Sequence, residues 1–544
     1  MRPARPTHLP ASGKMAAMPM KLLPRARPAA LIAGALACAI AAGCTSGGSA
    51  GPGGSASSPA ASPVGAAGQA SELHWHPCRI PPASMQCASL QVPLDYRHPA
   101  GRKITLALSK VPATAPAAQQ QGDLLVNPGG PGASGLSLAA EVAAGLHSTV
   151  ASEYNIIGFD PRGVGSSVPA LRCDPSFFAG VRPDYIPANA HAEQVLLGRA
   201  KGYAADCQRR YGWLLPFMTT ADTARDMDSI RAALGQQKIS YFGYSWGTYL
   251  GQVYATLFPH RLRRMVLDSV VNPQGVWYAD NTGQDYAFEG RIRAFFAWIA
   301  AHDAVYHLGS TPAEVQHAWY RARARLEAHP IAGPAGPMIG PDEFDDTFLV
   351  GGYTNAVWPG LAIALAAYLR EHDIGPMVDV YKALGTQNEN ENEFAVYNAV
   401  QCSDVNWPRN WAKWDADTRR VYRTAPFEAW DNAWFNAACA FWPVKGPARP
   451  LQIRGAGLPG ILMIQGTLDA ATPYAGALVA RRALPTARMV VALRGGNHGQ
   501  SLAQPPNTCV DGYLNRYLAS GALPSRPGLV NAVCPAAPPP SAAA

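Results

Sequence analysis

The distribution of apolar and polar positions predicts strands that alternate with helices over most of the chain. Short apolar runs bounded by glycine, proline or polar residues are typical of buried strands. They lie within 123–130, 154–167, 238–244, 265–271, 460–466 and 488–496, and helical patterns lie within 219–235, 246–258 and 509–521. Buried strands separated by helices predict a sheet covered on both faces. We therefore expect an α/β fold whose doubly wound sheet is mostly parallel.

The interval 276–454 breaks this alternation, because it is rich in tryptophan and has helical patterns without a run of buried strands. We expect a mainly helical cap domain that is inserted between two strands of the sheet and covers a substrate pocket. The core would then come from two parts of the chain, 73–275 and 455–534. The remaining residues, 535–544, are expected to form a disordered tail.

The amino-terminal segment predicts export. Lys21, Arg25 and Arg27 precede an apolar run that ends at Cys44, and this run is too short for a comfortable membrane span. Residues 42–44 (Ala-Gly-Cys) are similar to a bacterial lipobox, although Ala41 stands where leucine is more usual. We expect a signal peptide over 1–43, lipidation of Cys44 and a flexible Gly/Ser/Pro/Ala tether over 44–72. Ordinary secretion with cleavage nearby is the alternative to anchoring on the outer face of the cell membrane.

Charge and cysteine content narrow the class of protein. Six positive charges of the net +8 lie in residues 1–43, which contain no acid, so the remainder carries +2 and gives no case for a nucleic-acid partner. An even number of cysteines in an exported chain favours disulfides, and pairing of sequential neighbours is the simplest of 105 arrangements. Neither CxxC nor HExxH spacing occurs, so no metal or other cofactor is expected. The eight cysteines are Cys78, Cys87, Cys173, Cys207, Cys402, Cys439, Cys509 and Cys534.

The stretch Gly243-Tyr244-Ser245-Trp246-Gly247 joins a predicted strand to a predicted helix. In that context G-x-S-x-G predicts a sharp turn that raises the serine hydroxyl above the sheet. It also leaves the N–H of Trp246 directed at the site. A serine in a packed turn is the structural alternative.

A serine nucleophile needs a base and a carboxylate that orients the base. Asp469 follows the strand of 460–466, and His498 follows the strand of 488–496, in the order Ser, Asp, His. Asp268 is a less favoured alternative acid. Thr472 is expected to support the loop of Asp469.

The glycine-rich stretch 127–135 follows an early strand and predicts donors for an oxyanion. We expect the N–H of Gly130 to act with that of Trp246. A phosphate-binding loop is the weaker interpretation, because the stretch lacks the G-x-x-x-x-G-K-[ST] spacing. Asp160 and Arg162, in the turn after another strand, are expected to form an internal ion pair.

These stretches together resemble the tripeptidyl aminopeptidase and proline iminopeptidase branch of the α/β-hydrolases. They also resemble related exported actinobacterial serine proteases, some of which are named carboxylesterases. The stretches are "NPGGPGASG", "FDPRGVGSS", "GYSWGTYLGQVYATLFP", "GTLDAATP" and "GGNHG". The resemblance implies a catalytic triad of Ser245, Asp469 and His498 that removes short peptides from free amino termini. Acidic cap residues hold the substrate ammonium in that family, and Asp404 and Glu393 are candidates here, although each could instead be a solvated surface acid.

Two other functions stay open. A carboxylesterase would use the same triad, because esters and amides react through the same tetrahedral route. A non-catalytic lipoprotein that binds peptides would fit the predicted anchor but would not need the triad. The expected partners are a peptide or a small ester, and a membrane only through the lipid anchor.

Overall fold

The computed structural model describes residues 73–82, 84–333, 336–385 and 390–542. The expected signal peptide, Cys44 and the tether lie outside the described residues. Within the described part of the chain, no helix combines the length and the apolar character that a membrane crossing requires.

The described strands, in chain order, are β1 (His76–Pro77), β2 (Gln86–Pro93), β3 (Lys103–Val111), β4 (Gly122–Asn127), β5 (Tyr154–Asp160), β6 (Ile239–Tyr244), β7 (Leu262–Asp268), β8 (Ile331–Ala332), β9 (Met338–Ile339), β10 (Ile461–Gly466), β11 (Ala487–Leu493) and β12 (Ala532–Pro535). Ten of them form one sheet in the order β1-β2-β3-β5-β4-β6-β7-β10-β11-β12. The strands β8 and β9 form a separate antiparallel pair.

The described α-helices, in chain order, are α1 (Leu138–Gly145), α2 (Ser148–Ser152), α3 (Ala190–Tyr211), α4 (Thr220–Ala233), α5 (Trp246–Leu257), α6 (Tyr278–Ala301), α7 (Asp303–Tyr306), α8 (Pro312–Ala328), α9 (Pro341–Tyr353), α10 (Trp358–Ala366), α11 (Gly375–Leu384), α12 (Glu391–Asp404), α13 (Trp411–Tyr422), α14 (Ala429–Asn436), α15 (Tyr474–Ala483) and α16 (Thr508–Ser520).

Two layers of helices cover the sheet, as the continuous apolar character of its central strands requires. Successive residues of a strand point to opposite faces, so Leu125 packs in the cluster that contains α4 and α5, whereas Leu124 and Val126 pack against α1 and α16. The predicted α/β class with a mostly parallel sheet is confirmed, because β5, β4, β6, β7, β10, β11 and β12 pair in parallel.

The antiparallel strands β2 and β3 were not predicted. Only alternate residues of β2 are buried, among them Ala88, Leu90 and Val92, and serine and glutamine separate them. The segment therefore has the half-buried pattern of an edge region rather than a continuous apolar run. Strand β3 joins this edge to the parallel strands through antiparallel pairing with β5.

Between β7 and β10, the described residues form helices α6 to α14 and the pair β8–β9. This insertion has a hydrophobic core of its own, in which Phe295, Trp319 and Phe348 are buried. The Trp298 indole N–H on α6 donates to the Pro540 carbonyl at 3.1 Å, so the segment after β12 extends back to the insertion.

The disulfides join sequential neighbours, as expected from the simplest pairing. They are Cys78–Cys87, Cys173–Cys207, Cys402–Cys439 and Cys509–Cys534.

The expected ion pair between Asp160 and Arg162 is wrong. The fully buried guanidinium of Arg162 instead binds both carboxylate oxygens of Asp226, on α4, at 2.7 and 2.8 Å. Asp160 accepts hydrogen bonds from the Ser134 hydroxyl and from backbone N–H groups, including that of Ser166. Sequence adjacency suggested the wrong partner because the chain turns after β5 and directs the two side chains differently.

Removal of one member of the Arg162–Asp226 pair should strongly destabilise the core. Asp226→Ala leaves a buried guanidinium without its carboxylate, and we expect the free energy of unfolding in urea to fall by about 3–5 kcal/mol. Arg209→Ala removes an exposed pair and should change it by less than about 1 kcal/mol. Equal effects of the two substitutions would contradict the structural role assigned to the buried pair.

Candidate active site

The candidate site lies where the carboxyl ends of the parallel strands meet. In the register of the sheet, Asn127 at the end of β4 lies beside Gly243 of β6, and Tyr244 lies beside Asp268 of β7. Strands β10 and β11 continue the same edge. The loops that follow these strands therefore converge at this edge. Ligands of open α/β sheets bind at the carboxyl ends of the strands.

Ser245 occupies the tight turn between β6 and α5. Its backbone has φ 55° and ψ −128°, a conformation that costs a non-glycine residue about 1–3 kcal/mol. The two flanking glycines make the turn possible. A Cβ on Gly243 would come within 2.5 Å of the Gly247 carbonyl oxygen, and one on Gly247 within 2.7 Å of the Asn127 side chain.

His498 and Asp469 are in contact as predicted. The Nδ1 of His498 lies 3.0 and 3.1 Å from the two carboxylate oxygens of Asp469, and both residues are buried. Thr472 donates to Asp469 from its backbone N–H and its hydroxyl, each at 3.0 Å. The expected support of the Asp469 loop by Thr472 is thus confirmed.

The second ring nitrogen of His498 remains available. Nε2 is buried and has no hydrogen-bond partner among the described residues, and no hydrogen bond joins it to Ser245. The loop of His498 lies over the serine turn, because the Tyr244 hydroxyl donates to the Ser501 carbonyl at 3.2 Å. Burial lowers the pKa of His498, but the charge and hydrogen bond of Asp469 outweigh burial and leave that pKa above its ordinary value.

Asp268 supports the loop that carries His498, called the histidine loop below, instead of contacting the imidazole. Its carboxylate accepts the backbone N–H of Gln500 at 3.0 Å and that of Ser501 at 2.7 Å. The neighbouring Ser269 hydroxyl accepts the N–H of Gly499 at 2.7 Å. The geometry favours Asp469 over the alternative acid Asp268.

The glycine loop after β4 lies against the serine turn. A Cβ on Gly129 would come within 2.8 Å of Ser245 Cβ and 3.1 Å of the Trp246 nitrogen. The Gly129 N–H donates to the Asn127 side chain at 3.0 Å. The next residue, Gly130, is exposed and its N–H makes no hydrogen bond to the described residues. The N–H of Trp246, in the first turn of α5, has no acceptor within its own helix.

The two acids suggested for substrate binding lie in different surroundings. Glu393 is half-buried at the start of α12, and its backbone carbonyl packs against Gly132 of the glycine loop. Burial raises the pKa of Glu393 to about 7.

Asp404 lies at the other end of α12, and both its oxygens are occupied. They accept the Thr220 N–H and hydroxyl at 2.7 and 2.6 Å, and the Trp277 indole N–H at 3.2 Å. The Thr220 hydroxyl in turn accepts the Trp246 indole N–H at 3.1 Å. This placement favours a structural role for Asp404 over substrate binding.

The contacts that the insertion makes with the loop of His498 were not predicted from the sequence. The His498 N–H donates to the Tyr353 carbonyl at 2.6 Å, and the rings of these residues lie 5.6 Å apart. The Asn355 N–H donates to the Asn497 side chain at 3.0 Å. No local pattern marks such contacts, because they join segments about 140 residues apart.

A buried group of acids beside Tyr353 was also missed. Glu428 is 6% exposed, and its Oε2 has no partner among the described residues. Burial and then the charges of Asp285 and Asp431 raise the pKa of Glu428 well above its ordinary value, and burial raises that of Asp285 to about 8. Glu428 and Asp431 also act on Tyr353, whose pKa is raised mainly by burial. The available signal was an acid between aromatic residues in "PFEAWDNAW".

Comparison with known proteins places this chain in a family. The α/β hydrolase fold family matches residues 124–502. A tripeptidyl aminopeptidase of Streptomyces coelicolor is 41% identical over 85% of this chain and 86% of its own length. The serine protease Hip1 of Mycobacterium tuberculosis is 30% identical over 83% of this chain and 89% of its own length. A protein of that organism named carboxylesterase B is 33% identical over 85% and 90%.

The matched residues include the serine turn, Asp469 and His498, and the similarity extends through the helical insertion. The chain therefore belongs to the α/β-hydrolase family and is a homologue of the Streptomyces tripeptidyl aminopeptidases.

Proposed function

We propose that this protein is a serine peptidase that removes short peptides from free amino termini. The observation that carries the proposal is the contact of His498 with Asp469, in a loop held over the strained Ser245 turn. The identity to relatives named tripeptidyl aminopeptidase supports the substrate class.

The reaction follows from the roles that these groups can perform. Ser245 Oγ attacks the scissile carbonyl while His498 Nε2 accepts its proton, and Asp469 stabilises the imidazolium through Nδ1. The N–H groups of Gly130 and Trp246 donate to the oxyanion. His498 then gives the proton to the leaving amine, and water releases the acyl group by the same route.

We assign Glu428 as the principal anchor of the substrate ammonium, with Asp285 and Asp431 beside it. Three acids in a buried site repel one another, so a cation that enters the site restores the ionised forms. The unpartnered Oε2 of Glu428 can accept a hydrogen bond from the ammonium. Glu393, beside the glycine loop, remains a second candidate.

Replacement of the nucleophile should abolish turnover. Ser245→Ala removes acyl-enzyme formation, so kcat on a tripeptide chromogenic amide should fall by about 10⁴–10⁶. His498→Ala should be similarly damaging, and the double variant little worse than either one, because the residues act as a unit. Ser245→Ala that keeps a few per cent of activity in a pure preparation would contradict the assignment.

Loss of the substrate's positive charge should lower cleavage. Acetylation of the amino terminus of a tripeptide amide removes a charge-assisted contact worth about 1.5–3 kcal/mol, so kcat/KM should fall roughly 10- to 150-fold. Glu428→Gln should cause a comparable loss on the free peptide and little further loss on the acetylated one.

A matched variant and a second substrate complete this experiment. Glu327→Gln alters an acid of the insertion, on α8, whose side chain is 52% exposed. This variant should leave the rates on the free and the acetylated peptide unchanged. A short-chain ester measured alongside distinguishes a carboxylesterase. Equal rates on free and acetylated amides would overturn the aminopeptidase proposal while leaving the triad in place.

We further propose that the protein is exported and anchored through lipidated Cys44. The support is the basic and apolar pattern before Cys44 and the four disulfides of the described chain, which suit an oxidising compartment. The protein should partition with membranes, and Cys44→Ser should release it or block its maturation. Mass spectrometry that finds an unmodified mature terminus elsewhere would refute the anchor.

A further inference from the structure

One buried side chain lies between the two segments that supply the proposed oxyanion donors. These donors, the N–H groups of Gly130 and Trp246, belong to the glycine loop after β4 and to the first turn of α5. An oxyanion hole requires that both donors lie about 2.7–3.1 Å from the position of the developing charge. The glycine loop and α5 must therefore be held at a fixed distance, although they are far apart in sequence.

Asn127, the last residue of β4, contacts both segments. It is fully buried, and the register of the sheet places it beside Gly243, which begins the approach to the serine turn. Its Oδ1 accepts the Gly129 N–H at 3.0 Å. The same oxygen would lie 2.7 Å from a Cβ on Gly247, so it also lies against the first turn of α5.

The hydrogen bond from Gly129 to Asn127 fixes the glycine loop where the loop contacts the nucleophile. Gly129 has φ 107°, and a Cβ on it would come within 2.8 Å of Ser245 Cβ and 2.7 Å of the Tyr244 carbonyl oxygen. The loop therefore approaches the serine turn as closely as a glycine permits. The peptide unit that follows Gly129 carries the N–H of Gly130. Because glycine has wide conformational freedom, this unit would be free to rotate if the Gly129 N–H lost its acceptor.

The chemistry of the Asn127 side chain suits this task. Its Nδ2 is buried and has no hydrogen-bond partner among the residues that the structure describes. A buried donor without an acceptor costs free energy, so the reason for an amide here lies in its oxygen. A carboxylate would offer the same acceptor without an unsatisfied donor, but its negative charge would repel an oxyanion. The reaction therefore requires a neutral acceptor at this position.

We infer that Asn127 is a positioning residue of the oxyanion hole: its amide oxygen holds the glycine loop against α5, so that the Gly130 N–H meets the same oxyanion as the Trp246 N–H. The inference rests on the proposed function. Asn127 acts through Gly129, and it explains how a loop of glycines keeps one orientation beside the nucleophile.

The test compares Asn127→Leu and Asn127→Ala with the parent enzyme in the full chain. Both variants remove the acceptor of the Gly129 N–H, and leucine restores most of the side-chain volume. In each variant, kcat on the tripeptide amide should fall by between about tenfold and about 10³, the loss that removal of one oxyanion donor causes. KM should change by less than about twofold, because the donors act on the transition state rather than on the bound substrate.

Two ligands distinguish positioning from a general loss of structure. A boronic acid analogue of the tripeptide forms a tetrahedral adduct with Ser245, so its inhibition constant should rise in parallel with the loss of kcat/KM. The tripeptide amide itself should bind equally to Ser245→Ala and to Ser245→Ala combined with Asn127→Leu, as measured by calorimetry.

Asn531, just before β12, provides a matched control. It is 3% exposed, and its side chain likewise accepts a backbone N–H, that of Met489, at 2.7 Å. Asn531→Ala should lower Tm, because it leaves that N–H without its acceptor. At temperatures where the variant is folded, it should leave kcat and the inhibition by the boronic acid unchanged.

Three results would overturn the inference. They are a folded Asn127→Leu or Asn127→Ala enzyme with unchanged kcat, recovery of activity by leucine relative to alanine, and a loss of kcat that weakens the tripeptide amide as much as the boronic acid. The second would show that volume rather than the acceptor matters. None of them would affect the proposed function, which fails only if the Ser245→Ala enzyme remains active.

Discussion

The parallel pairing of β6 with β7, β7 with β10 and β10 with β11 is the constraint on which the site depends. Because these strands end at one edge of the sheet, the loops that follow them lie side by side. Residues more than 200 positions apart in sequence therefore come together at this edge. The strain in the Ser245 turn is tolerated because buried strand and helix on either side fix its ends. The glycines 243 and 247 then permit an approach that side chains would prevent.

Electrostatic balance is the second requirement. Two buried carboxylates lie near the imidazole of His498. Asp469 orients the ring, and Asp268 binds the backbone of the loop that carries His498. Each performs a separate structural task, but both favour a charged histidine. Burial of His498 acts in the opposite direction. Tyr353 of the insertion lies against the imidazole, so the surroundings of the base come from both the core and the insertion.

The sequence was sufficient to predict those residues of the candidate site that directly follow a strand. Ser245, Asp469 and His498 each follow an apolar strand, and a parallel sheet brings such positions together. Asp404 and Glu393 could not be separated, because the partners Thr220 and Gly132 come from distant segments. Glu428 was overlooked since an acid within a helical segment is usually on the surface. The pairing of Arg162 with Asp226 similarly depends on tertiary packing that no spacing encodes.

The hydrogen-bonded chain from Asp404 through Thr220 to Trp246 has a mechanical consequence. It connects the end of α12 to the first turn of α5, the helix that follows Ser245. Tyr353 and Asn355 connect α9 and the segment after it to the loop of His498. A lid that swung away as a rigid body would pull on both halves of the reactive centre at once. Opening of the insertion as a rigid body would therefore have to break these hydrogen bonds at the same time as it disturbed the segments that carry Ser245 and His498.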